Sequence, residues 1–67
     1  SLETGYLETI HLLNGKTFTI IADGLSETNK YVESITLNGK KLKANHIDHT
    51  AIMNGGTLIF KMTNRYY

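Results

Sequence analysis

His46 and His49 stand three residues apart with Asp48 between them. On one helical turn, an i, i+3 pair of imidazoles can share a metal ion, with Asp48 or His11 completing the ligand set. A zinc site asks for three or four ligands in fixed geometry, so the two histidines are candidates rather than a complete motif. The competing reading has one imidazole bonded to backbone and the other in solvent. Carboxylates offer a second chemistry. Glycoside hydrolysis uses two carboxyl groups roughly 5–9.5 Å apart across a cleft. Glu3, Glu8, Asp23, Glu27, Glu33 and Asp48 are available, but none sits in a recognisable motif. No catalytic residue is assigned. Aromatic faces offer a third: Tyr6, Tyr31, Tyr66 and Tyr67 could stack on sugar rings, with Tyr31 and Tyr6 the substrate-binding candidates. The alternatives are a packed Tyr31 and a solvated chain end at Tyr66-Tyr67. Lys40, Lys41 and Lys43 cluster as a phosphate-sized charge, but a near-balanced chain without interleaved aromatics argues for solvated lysines and against nucleic acid.

The elements that must position these groups are strands. Tyr31 to Leu37 reads as extended backbone, since branched and aromatic side chains pack well on a pleated surface. Asn38-Gly39 supplies the two positive-φ residues of a type I′ hairpin. Leu13-Asn14-Gly15-Lys16 repeats as Leu37-Asn38-Gly39-Lys40, which predicts the same turn at Asn14-Gly15. Strands are expected over Tyr6–Leu13, Lys16–Ala22, Tyr31–Leu37, a short run through Leu42, and Thr57–Met62. By alternation Tyr31, Glu33, Ile35 and Leu37 share one face of their strand, with Val32, Ser34 and Thr36 on the other. Ser26 and Asn29 are placed to hold a turn through local hydrogen bonds. The run from Asp48 to Met53 breaks the two-residue period and predicts a short helical turn capped by Asp48 and ended by Asn54-Gly55-Gly56. The expected core is Phe18, Ile20, Ile35, Leu37, Leu58, Phe60 and Met62. The fold class is therefore all-β: a small antiparallel sheet or sandwich of about five strands, residues 1–67 forming a single small β domain.

Size limits what such a sheet can do. The chain has 67 residues, no cysteine, no proline and a net charge of +1. A domain of this size buries only roughly 60% of the surface its unfolded chain exposes. Ordering costs on the order of 1.5 kcal/mol per residue, which leaves a balance near zero. No disulfide helps, so a partner surface is expected, and the chain reads as a piece of something larger. No apolar run approaches membrane-spanning length. An exposed strand edge could also pair two copies into a homodimer.

The residues alone declare no reaction, but their order is familiar. Asn14-Gly15-Lys16-Thr17-Phe18, Ile20-x-Ala22, Ser26-x-x-Asn29-x-Tyr31-Val32-x-Ser34-x-Thr36-Leu37-Asn38-Gly39-Lys40 and His49-x-x-Ile52-x-x-Gly55-Gly56-x-Leu58-x-Phe60-x-Met62 run through nearly the whole chain. This resembles the C-terminal segment of the glycoside hydrolase family 92 exo-α-mannosidases. The resemblance implies a large parent enzyme with a β-sandwich and an (α/α)6 barrel, calcium-assisted inverting hydrolysis of α-mannosides, and a secreted or periplasmic location. It implies the remainder of that enzyme as this chain's partner, with mannose-containing glycans bound through the parent. It assigns no cofactor to this chain; calcium belongs to the parent. The implied role is non-catalytic: packing on the catalytic body and bracing it. The alternative is a stand-alone carbohydrate-binding or adhesion module.

Overall fold

Alternation of Phe18, Ile20 and Ala22 with Thr17, Thr19 and Ile21 makes a two-sided strand, and the same rule organises its neighbours. A computed structural model describes residues 5–43 and 46–66. The strands are β1 (Gly5–His11), β2 (Thr17–Asp23), β3 (Tyr31–Leu37), β4 (Lys40–Lys41) and β5 (Gly56–Thr63), with one helix, α1 (His49–Met53), between β4 and β5. Among the described residues no helix is long and apolar enough to cross a membrane.

All five strands lie in one sheet, in the order β1-β2-β5-β3-β4. The all-β class, the strand number, both hairpins and the helical turn are as expected. The pairing is not antiparallel throughout: β5, the last strand, enters between β2 and β3 and runs parallel to β2. The physical reason lies in the connection. After β2 the chain turns at Ser26, whose Oγ accepts from the Thr28 and Asn29 N–H groups. It then comes back two strand spacings away, leaving a gap one strand wide for β5. Asn29 contributes its backbone carbonyl, which accepts from the Ser26 N–H.

The two Leu-Asn-Gly-Lys copies make different turns. Leu37 pairs with Lys40, and Asn38 (φ 52°) and Gly39 (φ 86°) form the two-residue I′ loop. In the first copy the Gly15 N–H bonds the Leu12 carbonyl and the Leu12 N–H bonds that of Lys16. Only Gly15 has positive φ there. That is a three-residue loop, a tight turn followed by a glycine bulge, and it corrects the expectation of a second I′ turn. Its Asn14 is committed elsewhere: Oδ1 accepts from the Lys16 N–H and Nδ2 donates to the Met53 carbonyl.

A bulge revises the faces of β3. Val32 is opposite Met62 and Ser34 is opposite Lys61, so Glu33 is the extra residue. An extra residue reverses the parity of everything beyond it. Val32 therefore joins Ile35 and Leu37 on the apolar face, and Tyr31 turns to the opposite face beside Thr63. The expected sharing of a face by Tyr31 and Ile35 is thus overturned.

The seven expected core residues do share one face, because Phe18, Ile20, Leu58, Phe60, Met62, Ile35 and Leu37 follow from one register. Only Phe18 (2% exposed) and Leu58 (5%) are buried; the other five are half-buried. Extents of 37 × 28 × 15 Å describe a single layer. A sheet face without a second layer has nothing to bury against, so no sandwich forms among the described residues. Helix α1 is too short to cover it. Its start also departs from expectation: Asp48 sits at the N-cap without a side-chain capping bond, and only its carbonyl accepts, from Ala51 and Ile52. Its end is as expected, with Gly55 at φ 83° taking the chain past the Thr17 carbonyl, where a Cβ would come within 2.9 Å.

Two predictions follow for stability, each read from urea unfolding. Phe18→Ala should cost about 3 kcal/mol or more, a core truncation that leaves a cavity. Asn38→Ala should cost about 1–2 kcal/mol by removing the Thr57 hydrogen bond and disfavouring positive φ, whereas Asn38→Gly should restore the backbone part of that loss.

Candidate functional site

The histidine and carboxylate groups are spread out by the fold. His46 Nε2 lies 4.0 Å from Asp48 Oδ1, with both side chains largely exposed. Solvent-exposed pairs of this kind contribute about 0–1 kcal/mol. The Asp48 carboxylate therefore faces an imidazole and not the helix N–H groups. His49 opens α1 and His11 closes β1, both exposed. Among the described residues no three His, Asp or Glu side chains gather closely enough to hold a metal ion. Calcium asks for six to eight oxygens. Glu8, Asp23, Glu27, Glu33 and Asp48 lie on β1, β2, the β2–β3 loop, the β3 bulge and the lead into α1. The described residues do not fit that ion. Glu3 lies outside the described residues.

The two tyrosine candidates are separated. Tyr6 is on β1 beside Ala22, on the apolar face, while Tyr31 is on β3 beside Thr63, on the other. Three strand spacings of about 4.8 Å, roughly 14 Å in all, stand between them as well as the sheet itself. They cannot stack on one sugar ring. The Tyr6 hydroxyl donates to a Glu8 carboxylate oxygen. That bond, and then the Glu8 charge, hold the Tyr6 pKa above its ordinary 10.0.

The aromatic pair the fold does build is Tyr31 with Tyr66, ring centroids 5.3 Å apart and planes at 69°, an edge-to-face contact. Tyr66 is 81% exposed. Sequence reasoning placed it in a solvated tail. No sequence signal points to it; the β3–β5 register of the fold brings the residues after Thr63 back beside Tyr31. Tyr67 lies outside the described residues. Lys40, Lys41 and Lys43 are exposed on and after β4, as solvated lysines would be. Sequence reasoning also missed two polar clamps. Asn14 Nδ2 donates to the Met53 carbonyl at 2.8 Å, and Asn38 Oδ1 accepts from the Thr57 N–H at 2.8 Å. The repeated asparagines thus grip the α1–β5 junction from its two sides. Among the described residues the arrangement offers a scaffold with an open apolar face.

Comparisons with known proteins agree with that scale. No curated protein sequence matches the chain significantly. Solved structures do. The inverting mannosidase of family GH92 from Bacteroides thetaiotaomicron VPI-5482 superposes with a TM-score of 0.80 at 29% identity over 88% of this chain. A GH92 α-mannosidase from Bacteroides thetaiotaomicron gives 0.77 at 33% identity over 85%. The GH92 glycosyl hydrolase ccman5 gives 0.77 at 36% identity over 88%. In each case the chain spans only 8% of the relative's length. Residues 7–64 match the glycosyl hydrolase family 92 catalytic domain. With nearly the whole sequence matched and the sheet reproduced in solved members, the chain belongs to glycoside hydrolase family 92.

Proposed function

We propose that this chain is a non-catalytic C-terminal β segment of an α-mannosidase-like glycoside hydrolase, packing on the catalytic body and bracing it. The observation that carries the proposal is the single-layer sheet, in a chain whose shortest extent is 15 Å, in which, among the described residues, only Phe18 and Leu58 are buried. Catalytic pockets are concave and exclude water. Among the described residues the carboxylates lie on separate strands and loops of an open sheet, with no wall to hold a glycoside between two of them. Meanwhile Tyr6, Ile10 and Val32 stay exposed on the apolar face. An apolar face of this kind marks an interaction surface, and a large enzyme body suits it. Substrate in this reading is a mannose-containing glycan bound by the parent, and the calcium expected of the family belongs there too.

The test compares the purified chain with the complete enzyme on an α-mannoside. The chain alone should give no turnover, and turnover at enzyme-like rates would reject the bracing role. The face has its own readout. In the isolated chain Val32→Ala should change stability by no more than about 0.5 kcal/mol, as surface substitutions do. In the complete enzyme it should cost about 1.5 kcal/mol, two methyl groups at roughly 0.8 each. Equal small effects in both would count against a covered face.

A second reading, a glycan-binding module acting alone, draws on the exposed Tyr31–Tyr66 pair. It requires saturable binding of mannan that weakens at least about tenfold in Tyr66→Ala, the scale of a lost stacking contact. A flat titration removes it.

A further inference from the structure

The two margins of the sheet are built differently. One carries the Glu33 bulge and the two-residue strand Lys40–Lys41. Bulges, lysines and short strands are devices that discourage a further strand from pairing. The other margin is β1, seven residues in unbroken register with β2, with no proline and one carboxylate, Glu8. All seven residues are exposed, and apolar groups project from both faces, with Leu7 (62% exposed) on one and Tyr6 and Ile10 on the other.

Its free hydrogen-bonding groups can be assigned. The Leu12 N–H bonds the Lys16 carbonyl, so Leu12 and Lys16 are a hydrogen-bonded pair of the antiparallel ladder. Such pairs alternate. Ile10 with Phe18, Glu8 with Ile20 and Tyr6 with Ala22 are then the inward pairs. Leu7, Thr9 and His11 point their N–H and C=O groups away from the sheet.

We infer that β1 is a docking edge, at which an extended segment from the remainder of the enzyme's polypeptide adds as a sixth, outer strand. This rests on the bracing role proposed above and names the surface that performs it. Main-chain bonds at Leu7, Thr9 and His11 supply the attachment, and apolar residues on both faces of the incoming strand match Leu7, Tyr6 and Ile10. The chain spans only 8% of its solved relatives, so such an enzyme has ample chain to provide the strand. A second copy of this chain fits less well. The antiparallel register that uses all seven residues sets Glu8 directly opposite Glu8 of the copy, and like charges so placed are destabilising.

Hydrogen exchange on the complete enzyme tests this. The amides of Leu7, Thr9 and His11 should be protected comparably to those of Glu8 and Ile10, at every protein concentration. Free exchange at the three outward amides beside protected inward ones overturns the inference, and so does protection that grows with concentration, which would report a second copy. Thr9→Pro removes one outward N–H and leaves the β2 ladder intact. It should speed exchange at Leu7 and His11 by about tenfold, the scale of one lost hydrogen bond. Thr9→Val keeps that N–H while losing the hydroxyl contact to Thr19, and should not; equal effects of the two variants overturn the inference. Oxidative labelling of Met62 and Tyr6 in the same enzyme separates the two claims. A shielded face with an open β1 edge removes the added strand and leaves the bracing role standing, whereas a labelled face removes both.

Discussion

β5 has neighbours on both sides, and the rest of the sheet depends on that. It bonds β2 along one edge, from Phe18 opposite Gly56 to Asp23 opposite Lys61, and β3 along the other, from Leu37 opposite Leu58 to Tyr31 opposite Thr63. Without it β1 and β2 would be one isolated hairpin and β3 and β4 another, and two-stranded hairpins are marginal in water. The strand that joins them arrives last in the chain. Its pairing with β2 closes a long stretch of intervening sequence, the kind of contact that makes folding slow. Asn14 and Asn38 reach in from the two hairpin turns to hold the entrance to β5, at Met53 and Thr57. Each satisfies a backbone group that the change from helix to strand would otherwise leave free.

The second constraint is thickness. A single sheet brings apolar side chains beside one another but closes only one side of each. Phe18 and Leu58 are the buried residues of this face, and Leu58 stands on the central strand with Ile20 on one side and Leu37 on the other. Ile20, Ile35 and Phe60 share their face and stay half-covered. The hydrophobic contribution of this face is therefore only partly realised within the described residues, at about 25 cal/mol per Å² of area still open to water. Membership of a family whose solved members are about an order of magnitude longer is consistent with that shortfall.

Much of this was legible locally. The period of two in Phe18, Ile20 and Ala22, and in Leu58, Phe60 and Met62, marked the strands and their apolar face. The break in period after Asp48 marked the helix, and Gly55-Gly56 its end. The family resemblance was legible too, because it lay in the order of these same residues. The candidate site was less so. Tyr6 and Tyr31 looked equivalent as aromatic strand residues, yet stand on opposite faces, and the tyrosine that meets Tyr31 is Tyr66.

By itself the sequence determined where the chain is extended, where it turns and, for β2 and β5, which side of the strand is greasy, since these follow from side-chain alternation and from residues that accept positive φ. Tertiary structure alone decided the order of strands, the parallel run of β5 against β2, the reversal of Tyr31 and Val32 at the Glu33 bulge, and the different turns of two identical tetrapeptides. The reason is that backbone donors and acceptors are the same on every strand. They do not name a partner, and face, register and loop length become definite only once one is chosen.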